Sequence, residues 1–169
     1  TQNIDGLHRI AGNSVDRTYE VHGNGHEMRC SVRCTADRYP IPDGVGSKDR
    51  ETPLTDDEKA LLVCPKCGAV ARPHVLWFDE HYEEDFYRSD TAMRAALRAG
   101  LFVTVGTSGA TSLPLHATAA AAETGAVILD INPNPNPFQA FATDYSRGMW
   151  LKGSSSERVP ALVSLLIGE

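Results

Sequence analysis

Two short apolar runs, LFVTVG at residues 101–106 and AVILDIN at 126–132, constrain the fold of this chain more than any other feature. Both are rich in β-branched residues, both are of strand length, and both read as buried strands. Between them lie the turn Thr107-Ser108-Gly109 and an alanine-rich stretch from Leu113 to Glu123 of high helix propensity, closed by Thr124-Gly125. Upstream, residues 83–99 place Phe86, Met93, Ala96 and Leu97 at roughly helical spacing, with Gly100 as the stop. A last helix is predicted from about Ser156 to Ile167. Strand, helix, strand, helix is the pattern of a parallel α/β sheet. The asparagine-proline repeat at 132–137 can continue neither a strand nor a helix, so it reads as a loop at a strand's carboxyl end. Ligands of such sheets sit beyond the carboxyl ends of the strands, which directs attention to the loops at 106–109 and 132–137.

Residues 27–72 have a different character. They are polar, rich in Gly, Pro and charge, and poor in apolar periodicity, so burial alone gives them little reason to fold. They also hold all four cysteines, as the pairs Cys30/Cys34 and Cys64/Cys67. Cys64-Pro65-Lys66-Cys67-Gly68 has the form of a zinc knuckle, and Cys30-Ser31-Val32-Arg33-Cys34 has one more residue in its gap. The reading is one structural zinc on Cys30, Cys34, Cys64 and Cys67, with no open position for catalysis. Unrelated buried cysteines or two disulfides are the alternatives. The expected organisation is a small zinc-ribbon module at 27–72 inserted in an α/β domain made of 1–26 and 73–169.

With 169 residues and 41% hydrophobic content the chain can bury one sizeable core. A net charge of -6 argues against the broad basic face of a sequence-independent nucleic-acid binder and suits a cationic peptide partner. There is no apolar run of about 18 residues, and the first residues have neither a basic nor an apolar leader pattern, so no membrane span or export is expected. Close cysteine pairs without an export signal suggest a reducing, cytoplasmic setting.

TQNIDGLHRIAG at 1–12, YEVHG at 19–23, the two cysteine pairs, RPHVLWFDE at 72–80, VGTS at 105–108 and INPNPNP at 131–137 resemble, in order and spacing, the sirtuin family. The resemblance implies a Rossmann-like domain carrying a zinc module, with NAD and acyl-lysine meeting in the cleft between them. It implies an NAD-dependent protein-lysine deacylase, a transferase that moves the acyl group to ADP-ribose and releases nicotinamide. His22 matches the catalytic histidine, and an imidazole with an ordinary pKa of about 6.5 suits a general base near neutral pH. Asn3 joins it in the catalytic set. Gln2, Asn3 and Asp5 match residues lining the nicotinamide and ribose pocket, Gly106, Thr107 and Ser108 the loop on ribose and phosphates, and Asn132 the adenosine ribose contact. Val75, Leu76, Trp77 and Phe78 resemble the strand that walls the acyl-lysine tunnel, with Asp79 where many family members have glycine. His8 reads as structural and His26 as a possible rival metal ligand. The family's GAGxS segment and flexible cofactor loop normally precede TQNID and are not among these residues, so the first βα unit is expected to lie outside them. ADP-ribosyl transfer or NAD hydrolysis, or a noncatalytic zinc-ribbon peptide binder, are the competing functions.

Overall fold

The structure, a computed structural model, describes residues 1–49 and 51–168. The chain divides into two units, Thr1–Asp90 and Thr91–Glu169, and each carries its own three-stranded sheet.

Unit one begins with a short helix α1 (Leu7–Ile10), followed by strands β1 (Gly23–Cys30) and β2 (Arg38–Pro40), helix α2 (Asp56–Leu61) and strand β3 (Ala71–Val75). Its sheet is antiparallel in the order β2-β1-β3, with Met28 opposite both Tyr39 and Pro73. β1 and β3 both cross the limits of 27 and 72 read from the sequence, so the cysteine-bearing segment and the residues flanking it share one sheet. The apolar cluster of this sheet is small: Met28, Leu62 and Ala71 are buried, with Tyr39, Ile41, Val45 and Leu54 packed against them. A core of this size leaves room for a cross-link to matter. Gly23 starts β1 with φ +86, and a Cβ there would sit 1.9 Å from the His74 carbonyl oxygen. The glycine after His22 is thus required twice over, by backbone conformation and by the close approach of β3.

The helix predicted over 83–99 is broken in two. Helix α3 (Glu84–Tyr87) ends at Arg88, which adopts a left-handed conformation at φ 52, and α4 (Ser89–Leu97) starts immediately after. Arg88 gains in exchange: its guanidinium donates to the carbonyls of Val15 (3.1 Å) and Asp16 (2.9 Å) and lies over the Tyr19 ring. Those tertiary bonds outweigh the local preference for a continuous helix.

Unit two contains β4 (Leu101–Val105), α5 (Ser112–Glu123), β5 (Val127–Asn132), α6 (Pro137–Asp144), β6 (Gly148–Lys152) and α7 (Ser155–Ile167). Its sheet is parallel, in the order β4-β5-β6. β5 is central and almost wholly buried, as its apolar run predicts. β4, at the edge, is half-buried apart from the buried Thr104 and the exposed Val105. Ala121, Ala126, Ile128 and Ala142 make the core, and Phe102, Phe141 and Tyr145 close around it. The alanines let the helices approach the sheet closely. The asparagine-proline repeat leads straight into α6: Asn136 caps it, accepting from the N–H groups of Phe138 (2.8 Å) and Gln139 (3.0 Å), and Pro137 takes the first turn, where a missing N–H costs nothing.

Candidate functional site

Residues 1–5 of unit one lie alongside residues 19–26. Val21 N–H donates to the Thr1 carbonyl (3.1 Å) and Gly25 N–H to the Ile4 carbonyl (2.8 Å), so TQNID and EVHG are neighbours in space. On the other side of His22, Leu76 N–H donates to the His22 carbonyl at 2.9 Å and Gly23 pairs with Val75. His22 is therefore held on a turn between two extended segments, half-buried. Its Nε2 shares a 2.8 Å hydrogen bond with the Tyr82 hydroxyl, and the two rings stack with centroids 5.8 Å apart. Burial lowers the His22 pKa below its ordinary value, opposed by a hydrogen bond to the backbone of Gln2. Such a ring is neutral near pH 7, the form a general base needs.

The other members of the group differ in exposure. Gln2 is half-buried, and Asn3 and Asp5 are exposed. Asp5 spends one carboxylate oxygen on the N–H of Leu7 (3.0 Å), turning the chain into α1. Val75 and Leu76 are half-buried beside His22. Strand β3 ends at Val75, so Trp77 and Phe78 stand on a turn and not on the predicted strand. Glu80 explains why. Its carboxylate accepts from Trp77 N–H (2.9 Å), Arg72 (2.9 Å) and Arg29 (3.1 Å), folding the chain back as it leaves β3. Arg72 holds the Glu80 carboxyl down to about 2. Arg72 also stacks over Trp77 at 3.5 Å, which steadies that ring although it is 51% exposed. Phe78 is fully exposed.

The four cysteines converge in the same unit. All four sulfurs lie within 4.8 Å of one another, with Cys30–Cys67 and Cys34–Cys64 each at 3.6 Å. These separations are far longer than the ~2.05 Å of a disulfide. They match the ~3.8 Å expected between ligands of a tetrahedral zinc at Zn–S distances of ~2.3 Å. The donor set and the geometry fit a closed zinc site. The backbone prepares it: the N–H of Cys34 pulls the Cys30 thiol down to about 6, and that of Cys67 lowers Cys64. Crowding acts in the opposite sense on Cys34, which its neighbour Cys67 pushes up, so a cation is what allows all four to ionise together. The extra residue in the first gap is absorbed by Arg33, left-handed at φ 57, and Lys66 ties the two knuckles together through Asp37 (2.7 Å) and Thr35 (3.2 Å). His26 is not part of this cluster. It is exposed, and its Nε2 meets the Asp5 carbonyl at 3.2 Å.

In unit two the carboxyl ends of the parallel strands form a second constellation. Gly106, with φ +64, ends β4 and donates its N–H to the Ile131 carbonyl at 3.0 Å. Asn132, largely buried at the end of β5, donates to the Thr107 carbonyl (3.1 Å) and accepts from Asn134 N–H (3.2 Å). Ser108 is exposed. Residues absent from the sequence-based assignment brace this edge. Buried Asp130 accepts from Thr104 Oγ1 (2.6 Å) and Asn136 Nδ2 (2.9 Å), and Trp150 of β6 donates to the Asn132 carbonyl at 3.0 Å. Asp130 is flanked by isoleucine, leucine and asparagine in a run that reads as strand, and its polarity within that run was the signal available. Tyr82, in the acidic run HYEED, carried no such signal.

The chain thus combines a parallel sheet with polar loops at its carboxyl edge, a histidine-bearing turn and four cysteines whose geometry fits zinc. Residues 1–112 match the family model described as Sir2 family, and the chain belongs to that family. It is similar to the NAD-dependent protein deacylase of Aeropyrum pernix, 38% identical over 84% of this chain and 51% of that protein. The NAD-dependent protein deacylase of Pyrococcus furiosus is 33% identical over 96% of this chain and 58% of its own length. Among solved structures, a Sir2 homologue in complex with NAD superposes with a TM-score of 0.70 at 30% identity, covering 99% of this chain and 57% of that one. The chain thus spans somewhat over half the length of its relatives.

Proposed function

We propose that the protein carrying this chain is an NAD-dependent protein-lysine deacylase, and that His22 is its general base. NAD, when bound, supplies an electrophilic ribose carbon and the ribose hydroxyls. Gln2, Asn3 and Asp5 would line the nicotinamide and ribose end, as they run beside His22. Gly106, Thr107, Ser108 and Asn132 would receive the ribose and phosphates of the adenosine half, at the carboxyl edge where such ligands bind. Val75 and Leu76, with Trp77 and Phe78 on the turn beyond, offer an apolar surface for the lysine stem and its acyl group, and an extended peptide could add along this segment. The zinc, held by its four thiolates, is structural. Cysteines not joined in disulfides suit a reducing compartment, and a cytoplasmic setting belongs to the same proposal.

The observation that carries this reading is the 2.8 Å bond between His22 Nε2 and a hydroxyl group. A half-buried, neutral imidazole whose nitrogen already accommodates a hydroxyl is suited to take a ribose hydroxyl's proton. In the full-length protein, His22→Ala is expected to cut product formation from an acetyl-lysine peptide by about 10²- to 10⁴-fold, the usual loss with a general base. Exchange of labelled nicotinamide into NAD, which precedes the base's step, should fall much less. His26→Ala should leave turnover nearly intact. An active His22→Ala enzyme beside an inactive His26→Ala enzyme would overturn the assignment.

A further inference from the structure

We infer that Tyr82 is a positioning residue for His22, its phenol holding Nε2 as a stand-in for the substrate hydroxyl until that hydroxyl displaces it. The inference rests on the reading of His22 as the base. It starts from the two ring nitrogens. The ring bonds the Gln2 backbone, an interaction that favours the protonated ring and so engages a carbonyl acceptor, and Nε2 faces the Tyr82 oxygen at 2.8 Å. A ring N–H donated to Gln2 leaves Nε2 as the lone-pair nitrogen, and the phenol, with one proton to give, is the donor to it. The phenol therefore bonds the tautomer in which Nε2 is basic, and stacking at an interplanar angle of 26° fixes the ring plane.

Two consequences follow. A donor aimed at the lone pair stabilises the neutral ring and opposes its protonation. A substrate hydroxyl approaching the same lone pair needs the phenol to leave, and Tyr82 is only half-buried, on the turn between β3 and α3, where a side chain can swing aside. The groups that bear on the ring's titration are the Gln2 backbone and the amino group of Thr1 from the first segment, and Tyr82 from the turn.

Tyr82→Phe removes the hydroxyl and keeps the ring, while Tyr82→Leu removes both. In full-length protein labelled with ¹⁵N-histidine, the Phe variant is expected to raise the His22 midpoint by about half a pH unit or more, as the loss of one hydrogen bond would. The ¹⁵N shift of Nε2 should change as its hydrogen bond to the phenol is lost, while the Gln2 bond keeps the tautomer. The acid limb of kcat/KM, which reports the free enzyme, should move up with the midpoint, whereas the acid limb of kcat, which reports the complex in which the phenol has left, should stay in place. An unshifted midpoint and an unchanged Nε2 resonance in the Phe variant would overturn the inference, as would a silent Phe variant beside a shifted Leu variant, which would assign the effect to stacking. The nitrogen shifts decide the matter even if the protein turns over no acyl-lysine substrate, an outcome that would fall on the proposed function alone.

Discussion

His74 is fully buried on β3 and stacks on Tyr87 with centroids 5.3 Å apart. Burial, aided by the positive charge of Arg38, lowers its pKa to about 4. The unfolded chain would protonate this residue near pH 6.5, so between about 6.5 and 4 the unfolded state binds more protons and stability is lost as the pH is lowered through that window. Integrated over that window the loss is on the order of 3 kcal/mol. Urea unfolding at a series of pH values should show it, and His74→Phe should flatten the slope. Glu80 acts in a different window: its carboxyl, held near 2, contributes stability present above its ordinary pKa of 4.5 and lost as pH falls toward 2. The sequence made His22 and the cysteines legible because their neighbours form motifs. His74, Glu80 and Tyr82 stand in or beside the motif RPHVLWFDE, yet their work depends on contacts with Tyr87, Arg29 and His22, which are remote in the chain.

At the level of elements, the strongest local signals held. β5 is a continuous apolar run and is buried; α5 is rich in alanine and helical. α6 and β6 are not legible in the sequence because that of β6, GMWLK, mixes exposed and half-buried positions at a sheet edge, and because an Asn-Pro repeat signals a loop without saying that its last two residues also start a helix. What joins the two elements is Gly148. A Cβ there would lie 2.1 Å from the Ala142 carbonyl oxygen, so α6 can pack on β6 only over a glycine. Gly148→Ala is expected to cost at least the ~1–3 kcal/mol typical of forced overpacking, read as a lower urea midpoint. Gly100→Ala is the control: a Cβ there meets nothing within 4 Å, and stability should hold or rise slightly.

Over the whole molecule, the two units depend on different sources of stability. Unit two has a core of alanine, isoleucine and aromatic side chains, whereas in unit one the buried apolar cluster of the sheet is only Met28, Leu62 and Ala71, in the same unit as all four cysteines. A strong chelator is therefore expected to lower the melting temperature of the antiparallel unit and to leave amide protection along β5 little changed, with one equivalent of zinc restoring the first. Protection lost equally from both sheets would count against this division. Strand order adds a temporal side to the same contrast. Each parallel strand of unit two finds its partner next in sequence, but β1, besides pairing with β2, must find β3 across residues 31–70, Cys30 meeting Ala71. Closing a loop of that length costs about 3 kcal/mol of chain entropy before any pairing is gained. A cation that captured Cys30 and Cys67 early would draw those distant strands together in advance, so the metal bears on how quickly this sheet is found as well as on how long it lasts.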